Sequence, residues 1–154
     1  MKKLGFDLAL ALNKEVKALA DSGCQYIQID EPVFARKPDE ANAYGMENLE
    51  RMMHGIPKEV QRVCHICCGY PNSLDSHGYK KAELDAYDRI ATLVDDSTID
   101  EVSLEDSHRH NDLNLLEKFT KTKVIFGFID IAKSRMETVE EVRVRMKDSL
   151  EHID

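Results

Sequence analysis

At 154 residues the chain has the length of one ordinary domain, 1–154, and 42% hydrophobic with 32% charged residues is the balance of a folded globular protein, not a disordered one. A net charge of −8 argues against nucleic-acid binding, which normally needs a basic patch to neutralise phosphates. No apolar run reaches the roughly 20 residues needed to cross a bilayer, so no membrane role is expected.

Met1-Lys2-Lys3-Leu4 starts like a secretion signal, but Asp7 interrupts the apolar run, and Asn13, Lys14 and Glu15 stand where a cleavage region should be. Leu4, Leu8, Leu12, Val16 and Leu19 form a helical stripe instead, which predicts a helix over Phe6–Ser22 ending at Gly23. Tyr26–Asp30 reads as a strand stopped by Pro32, Ala41–His54 as a helix before Pro57, and Val60–Cys67 as the second strand. Lys80–Asp95 is predicted helical, with Leu84, Tyr87, Ala91 and Val94 on one face. Glu101–Glu105 is the third strand, Asp112–Thr120 a helix, and Lys123–Asp130 a fourth strand rich in β-branched and aromatic residues. The last helix starts at the capping-box pattern Thr138-x-x-Glu141, with Val139, Val142, Met146, Leu150 and Ile153 on the side expected to be buried.

Strands alternating with helices predict parallel βαβ units and an α/β fold. Asp30 and Glu31, His65 and Cys67, Glu105 and Asp106, and Asp130 all fall at C-terminal strand ends, where (β/α)8 barrels and doubly wound sheets build their sites. A doubly wound sheet would satisfy this pattern alone. A barrel needs about 250 residues and eight strands, so the four βα units here would be half of one.

His65 and Cys67 lie two apart on one strand, so their side chains share a face and can converge on a metal. A hydrogen-bonded histidine beside a buried cysteine explains such a pair equally well until Glu105, at the next strand end, adds a carboxylate. Nitrogen, sulfur and carboxylate ligands with an open fourth position describe a catalytic zinc site. Cys64-His65-Ile66-Cys67 also spells Cys-x-x-Cys, but cysteines three apart in a strand face opposite ways, which argues against a disulfide. Cys64 and Cys68 read as structural, with Cys68 a substitute ligand. Asp30 and Glu31 could hold a substrate ammonium group or cap a helix. His108 and His110 could be acid–base groups, although loop histidines are usually solvated, and Asp130 could orient a ligand or bind backbone.

These residues resemble the catalytic barrel of cobalamin-independent methionine synthases. The likeness runs through Ile27-Gln28-Ile29-Asp30-Glu31-Pro32, His65-Ile66-Cys67, Val102-Ser103-Leu104-Glu105, and Gly127-Phe128-Ile129-Asp130-Ile131 followed by Glu140-Glu141-Val142, in order and spacing. It implies a (β/α)8 TIM-barrel domain present in part, from the helix before its fourth strand to the helix after its seventh. It further implies zinc on His65, Cys67 and Glu105, with Asp30 on the amino group of homocysteine. The expected reaction moves a methyl group from a methyl-folate-type donor to the homocysteine thiol.

Three departures stand out. The family's second cysteine ligand belongs on an eighth strand beyond Asp154, its proton-donor histidine would fall at Ala132, and a folate-holding glutamate is replaced by Arg36. They raise two alternatives: a zinc-dependent thiol alkyltransferase with another donor or acceptor, and an inactive half-barrel that self-associates to complete itself. Small-molecule substrates are the expected partners. A cytoplasmic location is the default, since four cysteines with three clustered fit metal or thiol chemistry better than a disulfide scaffold.

Overall fold

A computed structural model describes residues 2–153. Helix α1 (Lys2–Asp21) precedes β1 (Tyr26–Glu31); α2 (Pro38–Glu40) runs through a π-helical turn, Ala41–Gly45, into α3 (Met46–Met53), before β2 (Gln61–Ile66). Helix α4 (Ala86–Asp95), β3 (Glu101–Glu105), a 3-10 segment (Leu113–Lys118), β4 (Lys123–Gly127), α5 (Val139–Ser149) and a 3-10 turn (Leu150–His152) complete the order. The four strands form one parallel sheet in the order β1-β2-β3-β4. That order never reverses, so the sheet lacks the switch point of a doubly wound fold.

Strand alternation splits the sheet into two chemically different faces. Ile27, Cys64, Ile66, Val102 and Leu104, with Val124 and Phe126 beside them, pack into the core shared with α3 and α4. The opposite face carries a transverse row, Asp30–His65–Ser103–Ile125, set by the strand register. This polar face is where the candidate ligands project.

The first helix ends as its sequence predicts. Gly23, at φ +94°, takes the left-handed conformation that only glycine adopts cheaply, and Cys24 N–H returns to Leu19 O at 3.2 Å. Its leucine stripe, however, is not the buried face. Leu4, Leu8, Leu12 and Leu19 are exposed, while Ala9, Asn13 and Val16 are buried. Asn13 explains the rotation, since its Nδ2 donates to both Met52 O and His54 O at 2.8 Å and anchors the helix to the end of α3.

Helix α4 begins six residues later than expected. The segment before it is held from outside: Ala82 N–H donates to Cys68 O at 2.9 Å, and the Arg109 guanidinium donates to the carbonyls of Ala82 and Glu83. Leu84 is exposed, whereas Tyr87, Ala91 and Val94 are buried as predicted. The expected 112–120 helix is a shorter 3-10 segment capped by Asp112, whose side chain accepts from Asn114 N–H at 3.0 Å. Strand β4 ends at Gly127, not Asp130, because Asp106 N–H and Ser107 N–H both converge on Gly127 O at 3.0 Å.

The capping box of α5 forms, with Glu141 N–H on Thr138 Oγ1 at 3.2 Å and Thr138 N–H on Glu141 Oε2 at 2.7 Å. Its expected apolar face nevertheless points outward, and Val139 is 86% exposed. A polar clamp docks the helix instead. Arg145 meets the fully buried Asp106 through Nε–Oδ2 at 2.6 Å and Nη2–Oδ1 at 2.8 Å, and also donates to Asn111 O. Removing one partner of such a pair strands a buried charge at a cost of about 3–5 kcal/mol. Arg145→Ala is therefore expected to lower unfolding stability by about 3 kcal/mol, read as a drop in the urea midpoint; a change under about 0.5 kcal/mol would contradict the clamp.

Asp95, at the end of α4, ties the 120–122 turn to the fold. Its carboxylate accepts from Thr120 N–H, Lys121 N–H and Thr122 N–H at 2.9–3.1 Å and from Thr120 Oγ1 at 2.9 Å. Burial opposes its charge, but these donors hold the carboxyl well below the usual range. A carboxylate depressed in the folded state stabilises above its unfolded value of about 4, and that contribution is lost as pH falls through the folded value. Asp95→Asn should lower stability at pH 7 and flatten the acid limb of a stability–pH curve below about pH 4; an unchanged acid limb would contradict this.

Candidate metal centre

Strand register assembles the centre. His65 opposes Ser103 and Ile66 opposes Leu104 across the β2–β3 ladder, so Cys67, the residue after β2, follows the last pair as Glu105 ends β3. All these residues project from the polar face, and the ligand atoms of His65, Cys67 and Glu105 lie within 4.8 Å of one another. The chain leaves immediately afterwards at Gly69, φ +105°, where a Cβ would approach the Tyr79 ring to 3.1 Å.

Each candidate ligand is oriented by a neighbour. His65 Nδ1 lies 3.0 Å from Ser103 Oγ. An imidazole that uses Nδ1 on an outer partner leaves Nε2 free for a metal, the usual arrangement at metal-bound histidines. Glu105 Oε2 accepts from Cys68 N–H at 2.7 Å, while Oε1 is buried without any hydrogen-bond partner. A buried carboxylate oxygen left bare is costly unless a cation meets it. Burial pushes the Cys67 thiol up; the charges of Glu105 and Asp30 add to this, while Gly69 N–H and Arg36 oppose it. A bound cation would reverse that balance, because coordination deprotonates a thiol. The nitrogen, sulfur and carboxylate donors and the bare oxygen fit a zinc ion with one position open.

Asp30 sits beside His65 on the polar face, exposed and accepting from Gln28 Nε2 at 2.7 Å. Glu31 points the other way: its Oε1 accepts from Val33 N–H at 2.9 Å, and burial raises its carboxyl. The two acids are therefore on opposite faces, and Glu31 lines a groove of about 280 Å³ against Leu8, Leu12 and Phe34. Cys64 and Cys68 are wholly buried in the core, and burial pushes both thiols up to about 12. Cys68 N–H donates to Glu105 Oε2, and the Glu105 carboxylate beside the thiol adds to its rise. All four cysteines are free. Cys64 and Cys67 face opposite sides of the sheet, as strand alternation requires.

His108 is the residue that sequence reasoning undervalued. Its side chain is 2% exposed, with Nδ1 2.7 Å from Asp130 Oδ1 and Nε2 3.7 Å from Glu105 Oε1. The Asp130 contact lies off the ring N–H direction, so it is a close polar contact rather than an aligned hydrogen bond. The turn after Glu105, closed by Arg109 N–H on Asp106 O, brings positions 105 and 108 together, and no periodicity announces such a turn. His110, by contrast, is exposed and rests on Asp106. Asp130 also accepts from Ala132 N–H at 2.9 Å, so the imidazole reaching this loop is supplied by His108. Burial opposes the Asp130 charge, but Ala132 N–H, His108 and Lys133 hold its carboxyl low. Arg36 packs on Tyr79, donating to its hydroxyl at 3.3 Å.

Residues 2–154 match the family described as cobalamin-independent synthase, catalytic domain. The chain is 33% identical over 154 residues to a methionine synthase of Thermococcus kodakarensis, covering 99% of this chain and 40% of that protein. A methionine synthase of Pyrococcus abyssi is 31% identical over 149 residues, covering 96% of this chain and 38% of that protein. The structure of a B12-independent methionine synthase from Shewanella sp. W3-18-1, in complex with selenomethionine, superposes with a TM-score of 0.83 at 35% identity, over 99% of this chain and 45% of that one. The chain thus spans about 40% of the length of the curated relatives it matches.

Because burial raises the Cys67 thiol, a zinc ion coordinated there would have to displace its proton at neutral pH. Zinc affinity is expected to rise about tenfold per pH unit between pH 6 and 8, measured by competition with a chromophoric chelator. A pH-independent affinity would contradict thiolate ligation.

Proposed function

The chain belongs to the cobalamin-independent synthase catalytic-domain family, and on that premise we propose that it carries most of the thiol-activating centre of a zinc-dependent methyltransferase that makes methionine from homocysteine. The observation that carries this reading is the convergence of His65, Cys67 and Glu105 within 4.8 Å around the bare Glu105 Oε1. Zinc held there supplies the positive charge that keeps a substrate thiol ionised at neutral pH. Asp30, exposed beside His65, would take the amino group of the same substrate. The substrate sulfur then attacks the methyl carbon, and the donor–methyl bond breaks with its electron pair left on the donor.

The unreversed strand order supports half of a (β/α)8 barrel, equivalent to its fourth to seventh strands. Helices α1 and α5, which precede β1 and follow β4 in the chain, carry exposed apolar residues that the remainder of a barrel would cover, and β1 and β4 are the two open edges of the sheet. A fourth ligand, a cysteine on an eighth strand, would lie in that remainder. Among the described residues no helix is long and apolar enough to cross a membrane, and free cysteines accord with a reducing, cytoplasmic setting.

A methyl-folate-type donor is the first choice. A second reading, a thiol alkyltransferase with another donor, is favoured by Arg36, which stacks on Tyr79 where a carboxylate was expected, and by Ala132 in place of a histidine. In the complete protein, Cys67→Ser should weaken zinc binding and cut methyl transfer to homocysteine more than about 100-fold, and Asp30→Asn should raise KM for homocysteine more than it lowers kcat. Full activity of Cys67→Ser would overturn the reading. Methylation of homocysteine from a donor other than a methyl-folate alone would favour the second one.

A further inference from the structure

We propose that His108 is a positioning residue of the metal centre, coupled to Asp130, which fixes Glu105 so that Oε1 is presented to the ion. The inference rests on the metal reading above and extends it beyond the ligands.

Glu105 has one oxygen secured, Oε2 on Cys68 N–H, and one bare, Oε1. Rotation about the terminal bond of the side chain would carry Oε1 away from His65 and Cys67 unless something occupied the space behind it. The His108 ring stands against Oε1, with Nε2 at 3.7 Å.

The residue is itself held at three points. Asp130 Oδ1 stands 2.7 Å from Nδ1, Tyr70 packs edge-on with ring centres 4.8 Å apart, and Lys81 Nζ donates to the His108 carbonyl at 3.3 Å. Asp130 is fixed in turn by Ala132 N–H at 2.9 Å, by Lys133 at 3.4 Å, and through its own N–H on Glu137 Oε1 at 2.8 Å. A buried histidine whose two nitrogens face two buried carboxylates, one of them a candidate ligand, therefore ties the ends of β3 and β4 to the metal site. Outer partners of this kind typically set metal affinity by about 10–100-fold.

The test uses the complete protein, with zinc affinity from chelator competition and the visible spectrum of the cobalt(II)-substituted form. His108→Ala should weaken zinc binding about 10–100-fold and shift the cobalt bands, because the Glu105 ligand is free to turn. His108→Gln, which keeps volume and a polar atom near the ε position, should recover part of the loss and serves if the alanine variant does not fold. Asp130→Ala should weaken binding in the same direction, and the double variant should be no worse than the weaker single, as for residues acting through one chain of contacts. A merely structural role would lower the melting temperature without moving the cobalt bands. Wild-type affinity and spectrum in His108→Ala or in Asp130→Ala would overturn the proposal, as would losses that add in the double variant. Wild-type protein that binds no zinc, or Cys67→Ser that binds it undiminished, would instead overturn the metal reading itself.

Discussion

Parallel register between β2 and β3 is the constraint on which the site depends. His65 opposes Ser103 and Ile66 opposes Leu104, so Cys67 and Glu105 follow directly on the last pair, and their ligand atoms meet that of His65. Side chains alternate along a strand with a period of two, so a slip of one residue would send His65 and Cys67 into the core and bring Cys64 and Ile66 out. The core prevents that slip. Cys64, Ile66, Val102 and Leu104 are all essentially buried against the helices, and exposing them would forfeit the apolar burial that holds the sheet. Hydrophobic packing on one face thus fixes polar chemistry on the other.

The strand ends are secured by groups that do not themselves bind a ligand. Tyr87 Oη donates to Ile66 O at 2.8 Å and lies 3.4 Å from Glu105 N, bridging β2 and β3 just below the centre. Arg109 lies over the Tyr87 ring and holds the carbonyls of the preceding loop. Asp106, adjacent to Glu105, is locked by Arg145 from α5. Three buried or half-buried polar arrangements therefore surround one carboxylate. This is the kind of support a site needs if its ligands are to wait in place.

Much of this was legible in the residues. The third strand, Glu101–Glu105, matches its prediction at both ends, and the Thr138–Glu141 capping box formed as read. The His65–Cys67–Glu105 grouping followed from strand periodicity together with the placement of polar residues at strand ends, and the structure brings their ligand atoms together. What sequence periodicity could not show was which contacts overrule it. Residues 80–85 have a helical pattern, but Arg109 and Cys68 capture their backbone. The leucines of α1 form a regular stripe, but Asn13 sets the rotation of the helix. Glu31 and Asp30 are neighbours in sequence and opposites in space, a consequence of the same alternation that unites His65 with Cys67. His108 was out of reach because a turn, not a periodic element, buries it.

The most direct measurement is zinc-edge X-ray absorption on the complete protein. Ligation by His65, Cys67 and Glu105 predicts a mixed first shell, with nitrogen or oxygen at about 2.0–2.2 Å and sulfur at about 2.3 Å, and one sulfur fewer when Cys67 is replaced by alanine. A first shell without sulfur, or a sulfur count unchanged by that replacement, would contradict this centre.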